Sequence, residues 1–332
     1  VPAASARPDL VTPEDPASTD ESSVRADHTP AADEKPVSSE QTPVADTDIA
    51  QVRTPAPIEA DSQSWARAWR DIRDGFGQRE LWLSLGWQDI KQRYRRSVIG
   101  PFWITIATAV QATAIGILYA ALLGQPLQEY LPYVAVGLIV WNVINASILE
   151  GADVFIANEG LIKQLPSALS VHVFRLVWRQ MLFFAHNLLI YVVVLALFGV
   201  WRDLHWTAIT ALPALALLFM NAMWVSVLFG IFSTRYRDIA PILGSMTLML
   251  FVLTPVMWST KSLEDQGGEV AERARVAEVV PTYHYLEIVR APLLGDDQKL
   301  YHWAIVGAIT VVGWIAAAVA LKKYRSRVPY WV

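Results

Sequence analysis

From residue 101 onward the chain alternates long stretches that lack any Asp, Glu, Lys or Arg with short charged connectors. Six such stretches, 101–123, 130–149, 180–201, 204–234, 239–260 and 300–321, hold 23, 20, 22, 31, 22 and 22 residues. A helix rises ~1.5 Å per residue, so roughly 20 residues cross the ~30 Å hydrocarbon layer of a bilayer. All six stretches are long enough. Backbone in lipid finds no water, so only helices or closed barrels span it. These stretches are too continuous for barrel strands. They predict an all-α integral membrane protein with spans at about 101–123, 130–149, 176–201, 205–232, 239–259 and 301–321.

The pattern ahead of the first span is different. Trp65, Trp69, Ile72 and Phe76 recur at helical spacing, and Leu83, Trp87, Ile90 and Tyr94 repeat it after a break at Gly75–Phe76–Gly77. Both stripes are amphipathic, and Trp with flanking Arg suits a helix lying at the headgroup boundary. Packing against another part of the same protein is the competing reading. Between spans five and six, 269–280 reads as a short helix with Val270, Ala274 and Ala277 on one face, ended by Pro281. Tyr285 to Leu294 reads as a second, broken at Pro292. Together they resemble two short gate-like helices dipping toward the membrane; a solvated loop serves the first half equally well.

Charge divides the chain. Residues 1–62 carry thirteen acids and four bases and no aromatic residue, whereas 63–332 carry eighteen acids and twenty-three bases. The first block is an acidic tail, rich in Pro, Ala, Ser and Thr, that cannot bury enough apolar surface to offset its ordering entropy. It is expected to be disordered, either as a solvated segment or as a tether for a basic partner. It has no basic, then apolar, secretory pattern.

Lys and Arg then orient the body. One set of flanks holds fourteen: Arg79, Lys91, Arg93, Arg95 and Arg96, then Lys163, Arg175 and Arg179, then Arg235 and Arg237, then Lys322, Lys323, Arg325 and Arg327. The opposite flanks hold six: Arg202, Lys261, Arg273, Arg275, Arg290 and Lys299. The richer side is expected to be cytoplasmic, with both termini on it, in a plasma membrane.

Several chemistries are excluded. There is no cysteine, hence no thiol nucleophile and no Cys-ligated metal. No phosphate-binding G-x-x-x-x-G-K-[ST], no G-x-G-x-x-G and no His-Glu-x-x-His occurs. Scattered histidines give no ligand spacing: His302 reads as an interface residue, and His186–Asn187 as a helix–helix hydrogen bond. Glu264–Asp265 could pair for acid–base work, but beside Gln266–Gly267–Gly268 it reads as an exposed turn. No acid or base falls in the charge-free stretches, which argues against an ion-coupled carrier. Those stretches are rich in aromatics instead, and Tyr119, Trp141, Phe251 and Trp258 are candidates to line a path along which sugar rings stack. Ordinary helix packing is the alternative for each.

One series of motifs narrows the reading. Gln92–Arg93–Tyr94–Arg95–Arg96–Ser97–Val98–Ile99–Gly100–Pro101–Phe102–Trp103 resembles the approach to the first span of ABC-2 type export permeases, the membrane subunits of polysaccharide, O-antigen and teichoic-acid exporters. Asn158–Glu159–Gly160–Leu161–Ile162–Lys163–Gln164–Leu165–Pro166 sits where that family carries a cytoplasmic coupling helix. Arg235–Tyr236–Arg237–Asp238–Ile239 is similar to its loop motif between spans four and five. Thr254–Pro255–Val256–Met257–Trp258 resembles its turn near the outer end of span five. The stretch Leu286–Glu287–Ile288–Val289–Arg290–Ala291–Pro292–Leu293–Leu294–Gly295 resembles the one before span six. One departure is Val280–Pro281, where the family often has Asn-Pro. The likeness covers about 64–332. Within the family, the acidic tail and Trp-rich spans look like the branch that exports the lipid-linked galactan of the mycobacterial cell wall.

The resemblance implies a transport subunit rather than an enzyme, binding no cofactor itself. Two copies would form the path, and two separate ATPase subunits holding ATP and Mg would dock below. Asn158, Glu159, Leu161, Ile162, Lys163 and Pro166 would couple to the ATPase, with Arg235, Arg237 and Asp238 in a second cytoplasmic loop. Arg93, Tyr94, Arg95 and Arg96 would meet the diphosphate headgroup of a polyprenyl-linked glycan, since guanidinium pairs bidentately with phosphate; orientation by charge alone explains the same arginines. Tyr285, Glu287 and Arg290 would belong to the outer gate. Membrane lipids are partners and nucleic acid is not. An ABC-2 permease for a small hydrophobic molecule or drug, and a membrane glycosyltransferase, are the alternatives.

Overall fold

The computed structural model describes residues 64–332, except 101, 166, 203, 261, 262, 264–266, 270, 271, 273 and 274. The acidic tail and the Glu264–Asp265 pair lie outside the described residues.

Two amphipathic helices open the described chain, α1 (Trp65–Gly77) and α2 (Arg79–Arg93). Ser64 caps the first, its hydroxyl accepting from the Arg67 N–H at 3.3 Å. The break falls at Gln78, one residue beyond the glycine pair. Trp65, Trp69 and Phe76 are left uncovered while Ala68, Asp71 and Gly75 are buried. The aromatic stripe of α1 is largely uncovered, but both its ends touch the body: Phe76 meets the Phe174 ring edge-on at 5.9 Å, and Lys322 lies 4.5 Å from the Trp65 ring. The second stripe is split: Trp87 is exposed and Ile90 buried.

The apolar helices follow. They are α3 (Phe102–Leu123), α4 (Leu127–Ala152), a 3-10 turn (Ile156–Asn158) running into α5 (Glu159–Gln164), α6 (Ser170–Phe198), α7 (Ala211–Arg235), α8 (Ile239–Leu253), α9 (Pro281–Leu294), α10 (Leu300–Tyr324) and α11 (Val328–Trp331). The described residues lie in a single compact unit. Among them no strand is present. Helix α4 is the centre of the bundle. It packs against α3, α6, α7, α8 and α9. Val134, Ala135, Val136, Leu138 and Val140 along it are almost fully buried. The peripheral helices leave apolar rows uncovered, such as Val110, Ile117 and Leu118 on α3 and Ile242, Leu248 and Met249 on α8. A helix buried on one side by protein and left apolar on the other has lipid as its complementary solvent.

Two expectations change here. Among the described residues five helices, where six were expected, are long and apolar enough to cross a membrane: Phe102–Leu123, Leu127–Ala152, Ser170–Phe198, Trp206–Arg235 and Leu300–Trp331. The expected fifth span, 239–259, is a helix of only 15 residues that stops at Leu253. The reason is local. Pro255 disfavours helical geometry at the residue before it, and Thr254 is extended at φ −78°, ψ 131°. Charge-free length had hidden the break.

The second change concerns the connection that follows. Pro281 does not merely end a helix; it opens α9, at a position where its missing N–H costs nothing. A 3-10 turn, Arg275–Val279, precedes it. Pro292 does not break α9, which continues to Leu294 and closes on Gly295 at φ 78°. Of the two short helices expected here, the second is one continuous helix opened by Pro281; of the first, Gly268, Glu269 and Glu272 are helical, and residues 270, 271, 273 and 274 lie outside the described residues.

Candidate functional sites at the two ends of the bundle

At the end of the bundle rich in Lys and Arg, the acids do the joining. Asp71 of α1 is 1% exposed. Its carboxylate accepts the N–H groups of Leu169 and Ser170 at 3.1 and 3.0 Å, at the start of α6. Those groups are among the orphan donors of a helix N-terminus, where negative charge is favoured. The Ser170 hydroxyl donates back to the Asp71 carbonyl at 2.6 Å, and Arg325 Nε donates to the carboxylate at 2.5 Å. One side chain thus ties α1 to α6 and to the segment after α10. The approach is close enough that a Cβ on Gly75 would stand 2.0 Å from Ser170 Oγ.

A second junction lies along α2. Asp89 receives Arg175 in a two-pronged contact, one bond 2.8 Å, and Arg179 at 2.8 Å. Burial pushes the Asp89 carboxyl up, but the hydrogen bonds and charge of Arg175 and then Arg179 outweigh it and hold it below the ordinary aspartate range. Arg179 also reaches Glu150 at 2.7 Å, which accepts from Gln180 at the same distance. Arg175 donates to Asn158 Oδ1 at 2.8 Å, and Asn158 in turn donates to the Val154 carbonyl at 2.7 Å. The surface helix, the end of α4, the start of α6 and the 3-10 turn before α5 are therefore parts of one polar network. It borders a cavity of about 350 Å³, into which Arg93 and His172 also face.

The residues of the expected coupling segment are placed by this network. Asn158 is held by Arg175. Ile162 is buried and Leu161 half-buried. Glu159 and Lys163 pair at 2.6 Å on the exposed side. Pro166 is outside the described residues. Helix α5 touches α11, and α11 touches α7. There Arg237 donates to the Trp331 carbonyl at 3.3 Å, and Arg235 lies 5.1 Å from the Trp331 ring. Asp238 precedes α8, its carbonyl accepting the Ile242 N–H at 3.3 Å. The coupling segment, the second loop and the chain's last turn thus share a face. Of the four residues at the expected headgroup site, Arg95 and Arg96 are exposed, Tyr94 is half-buried, and Arg93 stacks on the Phe183 ring at 5.5 Å.

The opposite end is built on one buried cation. Arg290 of α9 is 1% exposed. It pairs with Glu287, donates to the Pro255 carbonyl at 2.7 Å and lies 3.7 Å from the Tyr133 ring centroid. Tyr133 donates its hydroxyl to the Pro255 and Trp258 carbonyls at 3.2 and 3.0 Å. So the turn that replaces the outer part of the fifth span is clamped between α4 and α9. The turn fits because Gly137 has no side chain: a Cβ there would be 3.0 Å from the Val256 carbonyl.

The histidines do pair, but 18 residues apart: His284 Nδ1 and His302 Nδ1 are 2.7 Å from each other, and His284 Nε2 is 2.9 Å from the Glu278 carbonyl. In the neutral pair the carbonyl requires a proton on His284 Nε2. His302 then donates from Nδ1 to His284 Nδ1. His302 is an interface residue, between α10 and α9. His186 contacts the Leu182 carbonyl of its own helix at 2.7 Å in place of the expected helix–helix hydrogen bond, and its ring meets Phe102 of α3 edge-on at 6.0 Å. The interhelical polar centre is Asn221, which donates to Thr310 at 2.8 Å and accepts from Tyr285 at 2.8 Å and Trp224 at 2.5 Å.

Tyr285 therefore faces α7, while Glu287 and Arg290 face the clamped turn. Of the aromatic candidates, Trp141 and Phe251 meet at 5.2 Å, with Trp141 buried among the core helices. Tyr119 is half-buried on α3, and Trp258 donates to the Val252 carbonyl at 3.1 Å. The four do not line one common cavity among the described residues. Sequence reasoning missed Asp71, Asp89 and Glu150. Their signal was an acid on a basic, amphipathic or helix-ending segment.

An all-helical body with five apolar membrane-length helices, uncovered apolar flanks and basic residues gathered at one end defines a multi-pass membrane protein. Residues 80–294 match the family model described as ABC-2 type transporter, and the chain belongs to that family. Over 250 residues it is 21% identical to the O-antigen export system permease protein RfbA of Myxococcus xanthus, covering 75% of this chain and 95% of that one. The protein of the same name from Klebsiella pneumoniae is 22% identical over 227 residues, 68% of this chain and 86% of that one.

Proposed function

We propose that the chain is the permease subunit of an ATP-driven exporter that carries a polyprenyl-diphosphate-linked polysaccharide, of galactan or O-antigen type, out of the cytoplasm across the plasma membrane. The observation that carries this reading is the likeness, over most of their length, to two permeases named for O-antigen export. In this reading two copies of the chain enclose the path. Two ATPase subunits bind ATP and Mg below it, and the basic end with both termini is cytoplasmic. Helix α5 receives the ATPase motion. The network through Asn158, Arg175 and Asp89 passes it to α2 and α6 together. Arg93, Arg95 and Arg96 meet the diphosphate, and Glu287 with Arg290 holds the far end closed until the path opens.

The test is transport in proteoliposomes holding the full chain and its ATPase partner, with a polyprenyl-diphosphate glycan inside the accessible leaflet. Glycan-dependent export and stimulated ATP hydrolysis are expected. Replacing Arg93, Arg95 and Arg96 together by Gln abolishes export while insertion stays normal. Export of a small hydrophobic dye with no response to the glycan overturns the substrate assignment. The chain has no cysteine, so single cysteines placed from Glu159 to Gln164 report ATPase docking by cross-linking without a competing thiol.

A further inference from the structure

Five basic residues crowd the end of α10 and the facing end of α7, and the structure sorts them into two groups. Lys322 sits 4.5 Å from the Trp65 ring, and Arg325 is paired with Asp71. Both are spent on holding α1. Arg235, Lys323 and Arg327 instead border one cavity of about 550 Å³. No carboxylate lines it, and none of the three pairs with an acid among the described residues. Net orientation of the protein requires only a count of cations. It does not require that three unpaired ones converge on a concave surface.

The walls are graded. Ile231 and Phe232, a turn before the end of α7, form the cavity's apolar inner wall, deeper in the bundle than Arg235. The cations stand one turn further toward water, with Tyr236, Tyr324 and Trp331 among them. Arg235 lies over the Tyr236 ring at 5.7 Å and the Trp331 ring at 5.1 Å, and Lys323 over the Tyr324 ring at 5.2 Å. Those rings hold the positive heads in place without neutralising them. Apolar wall, aromatic belt, then unpaired cations is the sequence of chemistries along a phospholipid: acyl chain, glycerol, anionic phosphate. Basic pockets between helix ends at the headgroup level take such lipids.

We propose that Arg235, Lys323 and Arg327 form a binding site for the phosphate headgroup of an anionic phospholipid. It is separate from the Arg93–Arg96 segment. Through Arg235 and Trp331 it adjoins the face shared by α5 and α11. A bound lipid would fix the last turn of the chain against α7.

The full chain is reconstituted in nanodiscs of equal phosphatidylglycerol and phosphatidylcholine, and retained lipid is identified by native mass spectrometry. The unaltered protein is expected to retain phosphatidylglycerol selectively. Each cation near an anionic surface is worth about fivefold, so Arg235→Gln, Lys323→Gln and Arg327→Gln together lower that preference about 100-fold. Lys323→Gln alone lowers it about fivefold and, being an exposed position, keeps the assay decisive where the triple variant does not fold. Arg70→Gln with Arg73→Gln and Arg79→Gln, on α1 and α2, leaves the preference unchanged. Equal loss in that control overturns the site in favour of a diffuse field. Displacement of the lipid by inorganic phosphate reassigns the pocket to a free anion. A carbodiimide cross-link from Lys323 to an acid of residues 1–62 makes the acidic tail its occupant. Either result overturns the proposal.

Discussion

The two ends of the bundle hold themselves together by opposite means. At the basic end, Asp71, Asp89 and Glu150 each serve several partners, and Arg325, Arg175 and Arg179 bridge between helices. Most of these groups keep some contact with water; Arg175 and Asp89 are each 15% exposed. At the opposite end a single guanidinium, 2% exposed at the side chain, is locked by one carboxylate, one carbonyl and one ring. The hydrogen bonds that Tyr133 and Asn221 make there join neutral groups. Charges at a wet boundary can exchange partners at small cost, because water covers whatever is released. A charge in a dry site cannot. On the function proposed above, the difference suits one end to transmitting motion and the other to staying shut.

That contrast can be broken most sharply at Arg290. Arg290→Leu strands Glu287 and frees the Pro255 turn, and removal of one member of a buried pair costs about 3 kcal/mol or more. The expected result is a large fall in the unfolding temperature of the purified protein, read by intrinsic fluorescence in detergent. Next in size is Asp71→Asn, which keeps the shape but weakens the bonds to Leu169, Ser170 and Arg325. Charge-assisted bonds of this kind are worth about 2 kcal/mol, and hydrogen exchange is expected to rise in α1 and at the start of α6 first.

Asp89→Asn is milder in stability, about 1 kcal/mol. On the function proposed above its larger effect is expected in transport: the link from α2 to Arg175 and on to Asn158 is weakened, and ATP hydrolysis measured with and without export in proteoliposomes is expected to show lower coupling at unchanged basal hydrolysis. Acid probes the same bond. The folded carboxyl titrates below its ordinary value near ~3.9, so its contribution is intact above that pH and is lost only as pH falls below it. Asp89→Asn is expected to flatten that acid limb of the stability profile. Smallest of all is Lys163→Gln. The Glu159–Lys163 pair is half exposed on both sides, and thermal unfolding is expected to be unchanged.

The spans were legible because lipid imposes a length, and six charge-free stretches met it. Length cannot register a break inside an uncharged stretch, however, and the Thr254–Pro255 turn lies inside one. The X-Pro pair was the available signal. The surface helices were legible as amphipathic, but which face does what inverts the habit learned from soluble proteins. In α1 the aromatic face is uncovered, and the face turned inward carries Ala68, Asp71 and Gly75. Small residues permit close approach, and the acid finds the donors of a helix start. The His284–His302 contact was hidden for another reason. It joins two helices across a connection with no periodicity that relates them. The motif series, by contrast, fell within or at the edge of the matched region 80–294, part of it in helices α5 and α9 and the rest at helix ends and turns.

Asp71 also sets an order of assembly. Its partners stand 98, 99 and 254 residues further along the chain. A chain made from its N-terminus produces α1 well before Arg325. Until then α1 has an acid without its full set of partners, and its Trp face offers it a resting place at the membrane surface. The carboxylate is a clasp that can be fully fastened only once α10 has been threaded. A chain cut short before Arg325 leaves it open.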